Sequence, residues 1–458
     1  MNSIQDTIAA IATPPGRGAL GIIRMSGSLS LSIARKIFSR PAGKALEPRR
    51  LLHGWIRNHN GLELDEVMLS WMPAPGSYTG EDVVEISCHG NQAILEAVLE
   101  TLLAMGARLA QPGEFTKRAF LNNKMDLTRA EAVLEIINAP TMTGVELARQ
   151  KLGGSLAEKI HSLSQKLAKL KQEMCLAVDF PEEDIQCLSR EDLAHGVEQC
   201  LNQIQDLCAG YHRAGIWTQG VLVVLAGRVN AGKSSLLNAI LGRERAIVAD
   251  LPGTTRDFIE EAVNLNGLPV RLTDTAGLRE TCDPVEQMGL ETGRRLMDSA
   301  DLIVYLLDAS VPPEKSDLDF LKSADNQKLV TAFNKWDLIT RPHPEILKLE
   351  KTLRPSVRIS AREGTGLREL TDLIRNTILA RQTGTAQDSP APNLRQKICL
   401  EKCAEELSGL KQDALAGMPY DLLSTRLDYA CWQLDQITGV ISPQEVLNSI
   451  FDNFCIGK

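Results

Sequence analysis

Residues 221–241 constrain this chain more than any other stretch. A fully apolar run, Val221–Ala226 (VLVVLA), leads without a break into GRVNAGKS over 227–234 and then into a helical pattern, Ser235–Leu241. That is GxxxxGK[ST] in the strand–loop–helix setting the motif requires. The glycines let the backbone wrap a phosphate chain, so that N–H groups and a helix N-terminus face its negative charge. Lys233 is expected to reach the β- and γ-phosphates, and the Ser234 hydroxyl to hold Mg²⁺. A glycine-rich turn with an incidental Lys-Ser is the competing reading, and the flanking strand and helix argue against it.

Three further motifs follow in order. Strand Val270–Thr273 enters DTAG at 274–277, where Asp274 can hold Mg²⁺ through water and Gly277 can offer its N–H to the γ-phosphate. Leu329–Phe333 enters NKWD at 334–337. The Asp337 carboxylate can accept from guanine N1–H and its 2-amino group, donors that adenine lacks, so ATP would leave that charge unpaired. Alone, NKWD reads equally well as a helix cap. Val357–Ile359 and then Ser360, Ala361 and Arg362 complete the base pocket, with backbone N–H expected toward guanine O6. Between the first two motifs, Gly253, Thr254, Thr255 and Arg256 occupy the place of a switch loop, and Thr255 is the expected second Mg²⁺ ligand. The candidate GTP contacts are thus Asn230, Ala231, Gly232, Lys233, Ser234 and Ser235; Ala249, Asp250, Leu251, Pro252, Gly253, Thr254 and Thr255; Asp274, Thr275, Ala276 and Gly277; and Asn334, Lys335, Asp337, Ser360 and Ala361.

One position departs from the simplest hydrolytic site. Leu278 follows DTAG, and leucine cannot orient an attacking water as glutamine does at that point in Ras-like GTPases. Hydrolysis is therefore either very slow or served by another group and a cation. Arg279, Glu280, Asp283 and Glu286 lie close by, and most of them read as a solvated charged loop.

The rest of the chain sets this nucleotide site in a larger architecture. With 458 residues, 43% of them hydrophobic, about three domains are expected. Residues 1–121 alternate short apolar runs with Gly/Pro turns: Ile8–Ile11, Ala19–Met25, Glu66–Trp71 and Val83–Cys88 read as strands, Asn91–Leu103 as a helix. Residues 122–215 are helical, with Leu127–Asn138, Val145–Val178 and Arg190–Tyr211 interrupted at Pro181 and the acidic run Glu182–Asp184. Residues 216–380 alternate strands and helices. Arg381–Leu394 reads as a linker opening a second helical part, 381–458. The expected fold is multidomain α/β: a P-loop GTPase domain inserted in a helical domain, preceded by a β-rich α+β domain.

Charge excludes little. Fifty basic against 58 acidic residues give −8, which argues against broad attraction to nucleic acid but leaves a local site open. The start has no basic segment followed by an apolar one, so no signal peptide is expected. No apolar run approaches the ~18–20 residues of a membrane span. Ten scattered cysteines form no CxxC pair, and Cys399 with Cys403 lacks a second pair to complete a zinc site. A reducing, cytoplasmic setting is the expectation.

Beyond the nucleotide motifs, several stretches resemble the MnmE (TrmE) family of tRNA-modification GTPases over nearly the whole chain. They are ATPPGRGALGIIRMSG, YTGEDVVEISCHG, PGEFTKRAFLNNKMDLTRAEA, DFPEEDI, GRVNAGKSSLLNAI, GTTRD, DTAGLRE and the C-terminal FCIGK. The resemblance implies a homodimer formed through an N-terminal domain that binds a 5-formyl-tetrahydrofolate-type one-carbon donor. It further implies an FAD-containing partner, MnmG (GidA), and tRNA as substrate, with a carboxymethylaminomethyl or aminomethyl group added at C5 of the wobble uridine, position 34. Matched residue by residue, the folate site would use Arg24, Glu85, Lys124 and Lys458; a carboxylate suits the pterin's amino edge and basic groups suit a glutamate tail. Read without the family, Arg24 and Glu85 are strand-face charges and Lys124 a loop cation. K⁺ would bind Asn230, the carbonyls of Ala249 and Leu251, and Thr254. Val229 stands where the family usually has proline. Glu286 would orient water, and Cys455 matches the family's essential tail thiol. An alternative is an Era-like ribosome-assembly or signalling switch; FCIGK and the folate-like N-terminal domain speak against it, because a pure switch needs neither.

Overall fold

The computed structural model describes residues 6–40, 46–179, 189–243, 260–274, 296–353, 355–381 and 390–458. Contacts divide the chain into two compact units: Met1–Leu134 with Ala157–Glu182 and Ser424–Lys458, and Glu135–Leu156 with Glu183–Leu423.

The first unit is built on a seven-stranded sheet. Its elements begin with β1 (Ile8–Ile11), β2 (Leu20–Ser26), α1 (Ser30–Ile37), β3 (Phe38–Ser39), β4 (Leu52–Arg57), β5 (Glu63–Met72), β6 (Val83–His89), α2 (Gln92–Ala104) and β7 (Arg108–Leu109). The strand order is β3-β4-β5-β6-β2-β1-β7, antiparallel except for the β1–β7 pair. Alternation drives β2: Gly21, Ile23 and Met25 are buried while Ile22 and Arg24 on the other face are partly open. Ile23, Met25, Ile33, Ile37, Ile56, Leu69, Ile86 and Leu102 form the core beneath α1 and α2. Asn91 caps α2 by accepting from Ala93 N–H at 2.9 Å. At Gly21 α2 packs closely on β2, since a Cβ there would lie 2.6 Å from the Leu95 side chain.

Helices follow. α3 (Glu114–Leu121) starts after Gly113 in the left-handed region, and α4 spans Leu127–Asn138. Next come α5 (Met142–Leu152), α6 (Ser155–Asp179) and α7 (Arg190–Thr218). The continuous helical pattern expected over Val145–Val178 is broken at Gly153–Gly154. Gly154, at φ +100°, turns the chain where the apolar spacing alone does not betray a break.

The second unit carries a six-stranded sheet. Its elements are β8 (Val221–Gly227), α8 (Lys233–Arg243), β9 (Glu260–Leu265), β10 (Leu268–Asp274), β11 (Leu302–Asp308), α9 (Lys315–Ser323), β12 (Leu329–Asn334), α10 (Pro344–Thr352), β13 (Ser356–Arg358) and α11 (Leu367–Leu379). The order is β13-β12-β11-β8-β10-β9, all parallel except the β9 edge. β8 is buried on both faces, as parallel strands between helices must be. In the same unit α7 packs along α12 (Leu394–Leu415), whose Cys399 and Cys403 are buried. α13 (Tyr420–Thr438) and α14 (Gln444–Phe451) complete the chain. Leu447, Ile450, Phe451 and Phe454 pack on Leu127 and Ala130 of α4 within the first unit. No helix among the described residues is long and apolar enough to cross a membrane.

Candidate functional site

Strands β8, β10 and β12 run parallel, and their C-terminal ends carry the phosphate loop, Asp274 and Asn334 at the same end of the sheet, with β11 between β8 and β12. Open α/β sheets bind ligands there. Two glycines allow the loop's path. Gly227 has φ +141° and a Cβ on it would lie 2.4 Å from Leu306 O; Gly232 has φ +98° and a Cβ would meet Asn334 Nδ2 at 2.2 Å. Asn230, also left-handed at φ +63°, is exposed at the tip with Val229.

Lys233 is buried at the start of α8, and its ammonium donates to Gly227 O and Arg228 O, both at 2.9 Å. The cation therefore sits inside the loop it closes. Ser234 Oγ lies 2.7 Å from Asp274 Oδ2, so the hydroxyl and carboxylate assigned to one divalent cation are neighbours. Asn334 joins two loops: its Nδ2 donates to Ala231 O at 2.7 Å and its Oδ1 accepts from Ala361 N–H at 3.0 Å. The Ala361 N–H, expected to face guanine O6, is thus engaged with Asn334. Ser360 braces the same turn by accepting from Glu363 N–H at its Oγ. Lys335, left-handed at φ +61°, reaches Asp308 Oδ2 at 2.6 Å. Asp337 stands exposed in a single 3₁₀ turn, Trp336–Leu338, free to meet a base edge. Arg358 lies 4.2 Å over the Trp336 ring and is held by Glu350. Ala249, Asp250, Leu251, Pro252, Gly253, Thr254, Thr255, Thr275, Ala276, Gly277 and Glu286 lie outside the described residues.

A second cluster forms in the first unit. Arg24 and Glu85 stand directly opposite in the β2–β6 register, and Arg24 Nη2 lies 2.7 Å from Glu85 Oε1. The same guanidinium donates to Gly457 O at 3.2 Å and lies 5.7 Å from the rings of Tyr78 and Phe115. The C-terminal segment is seated against α3: Phe115 N–H donates to Lys458 O at 3.1 Å, and Phe451 and Phe454 are buried. Gly457 lies so close to β1 that a Cβ would be 2.6 Å from Ile11 O. Cys455, next to this anchor, is exposed. Lys124 donates to Pro75 O at 2.9 Å, on the loop that also carries Tyr78. Arg24, Glu85 and the backbone of Gly457 are therefore brought together, while Lys124 is tied to the neighbouring loop.

One group of charges is not singled out by sequence reading. Arg118, 1% exposed, donates to Asp6 Oδ1, Glu81 Oε2 and Glu114 Oε1, and Arg108 pairs with Asp6 and Glu114. Glu81 also accepts from Ser26 Oγ at 2.7 Å. Burial pushes the Glu114 carboxyl up, but bonds from Arg108, Gln111 N–H and Arg118 more than reverse it and hold it below its ordinary value. Its only sequence signal is that Glu81, Glu114 and Arg118 fall inside YTGED and PGEFTKR, stretches already notable for other reasons.

Comparison with known proteins adds a family. The model "MnmE helical domain" matches residues 127–455, and "GTP-binding protein TrmE N-terminus" matches residues 7–124. Among curated relatives, the tRNA modification GTPase MnmE of Nitratidesulfovibrio vulgaris is 48% identical over 460 residues, covering 99% of both chains. That of Lawsonia intracellularis is 42% identical, covering 99% of this chain and 100% of its own. The Carboxydothermus hydrogenoformans protein is 40% identical with the same coverage.

Proposed function

This chain belongs to the MnmE family of tRNA modification GTPases, and we propose that it hydrolyses GTP in order to modify the wobble uridine of tRNA. The observation that carries the nucleotide half is the contiguity of Lys233, the Ser234–Asp274 pair and the Asn334 bridge at the ends of three parallel strands. The loop wraps the phosphates, Lys233 moves its charge onto the β- and γ-oxygens, and Asp337 reads guanine. Ser234 and Thr255 would hold Mg²⁺, and Asp274 would act on it through water. Asn230, Ala249, Leu251 and Thr254 would hold K⁺, which would supply positive charge to the transferring phosphoryl, and Glu286 would orient the water that Leu278 cannot.

The chemistry on tRNA belongs to the other unit. Arg24, Glu85, Lys124 and Lys458 hold a 5-formyl-tetrahydrofolate-type donor, and Cys455 works beside its one-carbon unit. The Arg24–Gly457 bond supports this reading because it seats the tail at the residues assigned to folate. The carboxymethylaminomethyl or aminomethyl group is added at C5 of uridine 34 together with FAD-containing MnmG, in the cytoplasm, by a homodimer. Residues 1–121 form the folate and dimerisation domain, 122–215 and 381–458 the helical domain, and 216–380 the inserted GTPase domain.

The test is mass spectrometry of wobble nucleosides from cells lacking this chain, with and without complementation. The modified uridine should vanish and return. An unchanged nucleoside profile would leave the Era-like switch as the better reading.

A further inference from the structure

The phosphate loop has an anchor at a position its motif leaves variable. Arg228 sends its backbone carbonyl inward to Lys233, and its side chain outward to the N-terminus of α9. There Arg228 Nη2 pairs with Glu314 and Nη1 lies 3.7 Å from Asp317 Oδ2. Asp317 is the fixed partner, while the Glu314 side chain is 58% exposed. Asp317, 3% exposed, accepts from Glu314 N–H at 2.9 Å in a capping box and from the Tyr305 hydroxyl at 2.7 Å. Tyr305 stands in the central strand β11 and stacks on Phe320 of α9.

The other end of the same connection is tied to the base-reading loop. Asp308, the last residue of β11, accepts from Lys335 Nζ at 2.6 Å and from Ser310 N–H and Oγ at 3.0 and 2.6 Å. The segment from Asp308 to Asp317 therefore bonds Lys335 at its beginning and Arg228 at its end. Arg228 matters because the next two loop residues, Val229 and Asn230, are exposed.

We propose that Arg228, held by Glu314 and Asp317, is a positioning residue that keeps the phosphate loop shaped for bound nucleotide and registers it against the base-reading loop. The inference rests on the reading of this site as a GTP site. It predicts a binding defect rather than a chemical one, since Arg228 directs its charge toward the carboxylates of α9.

The experiment measures dissociation of a fluorescent GDP analogue, together with kcat and KM for GTP, in the full chain carrying Arg228→Ala, Arg228→Lys, Glu314→Gln or Arg228→Ala with Glu314→Gln. A partly exposed ion pair of this kind supports an increase in off-rate of roughly threefold to fivefold for Arg228→Ala. KM should rise in step while kcat stays within about twofold, and Arg228→Lys should recover most of the loss. Two residues acting through one contact do not multiply, so the double variant should match Arg228→Ala alone. Off-rates equal to wild type in Arg228→Ala, multiplying losses in the double variant, or a fall in kcat with unchanged off-rate would overturn the proposal. Failure of the wild type itself to bind GDP would instead remove the GTP-site reading.

Discussion

Replacing Gly457 by alanine should lift the end of the C-terminal segment off the N-terminal sheet. Gly457 has φ +96°, and its missing Cβ would lie 2.6 Å from Ile11 O and 2.8 Å from Ala12 Cα, backbone atoms that cannot rotate away. A side chain in that region of backbone space costs about 1–2 kcal/mol. Relieving the contact also breaks Arg24 Nη1 to Gly457 O and Phe115 N–H to Lys458 O, worth about 1 kcal/mol each. Those bonds are lost on unseating in either protein, so the added strain sets the shift, about 1–2 kcal/mol or roughly a fivefold to thirtyfold loss of the seated tail end. Phe451 and Phe454 remain buried, so the change is local. Hydrogen exchange reports it directly: the Phe115 amide should exchange faster in Gly457→Ala, while amides within β8 keep their protection. Modified wobble uridine should fall in parallel. An unchanged Phe115 amide would refute the claim that Gly457 is needed for seating.

Asp337→Asn should shift preference from GTP toward xanthosine triphosphate, because an amide donates where the carboxylate only accepts; equal GTP affinity in both proteins would contradict the assignment. Hydrolysis should run faster in K⁺ than in Na⁺, and Asn230→Ala should abolish that difference with GTP binding largely kept; equal wild-type rates in the two salts would remove the K⁺ site. For pH, Glu114 is held below its ordinary value of 4.5, so its contribution to stability is present above that pH and lost as pH falls through the depressed value. Glu114→Gln should therefore be less stable at neutral pH and show a shallower loss of stability in acid, read by thermal melting from pH 7 to 3. A parallel pair of curves would show that Glu114 does not titrate as described.

The strand–loop–helix of the candidate nucleotide site was legible because its motifs are local: a short loop must approach phosphate closely, and only certain residues permit that. Lys233 and Ser234 are named by spacing alone, and Asn334 by its place after a buried strand. The Asn334 bridge to Ala231 and Ala361 was not legible, since it joins residues 103 and 27 positions away. The β-rich character of the first third showed through short apolar runs such as Ile8–Ile11 and Val83–Cys88 set between Gly/Pro turns, but β4 went unread because Gly54 takes an inward position and Trp55 an outward one. Arg24 and Glu85 are ordinary strand charges until register sets them opposite each other. Arg118 is harder still. Nothing in PGEFTKR says that this arginine is buried among three carboxylates drawn from positions 6, 81 and 114.

The most direct test of two separable sites in one chain is Cys455→Ser, assayed for both activities on the same preparation. The thiol lies beside the Arg24-bound tail, in a different unit from Lys233 and Asp337. GTP hydrolysis in K⁺ should match wild type, and the modified wobble uridine should drop to background. Loss of both activities together, or retention of both, would contradict a tail that serves the tRNA chemistry and leaves the GTPase alone.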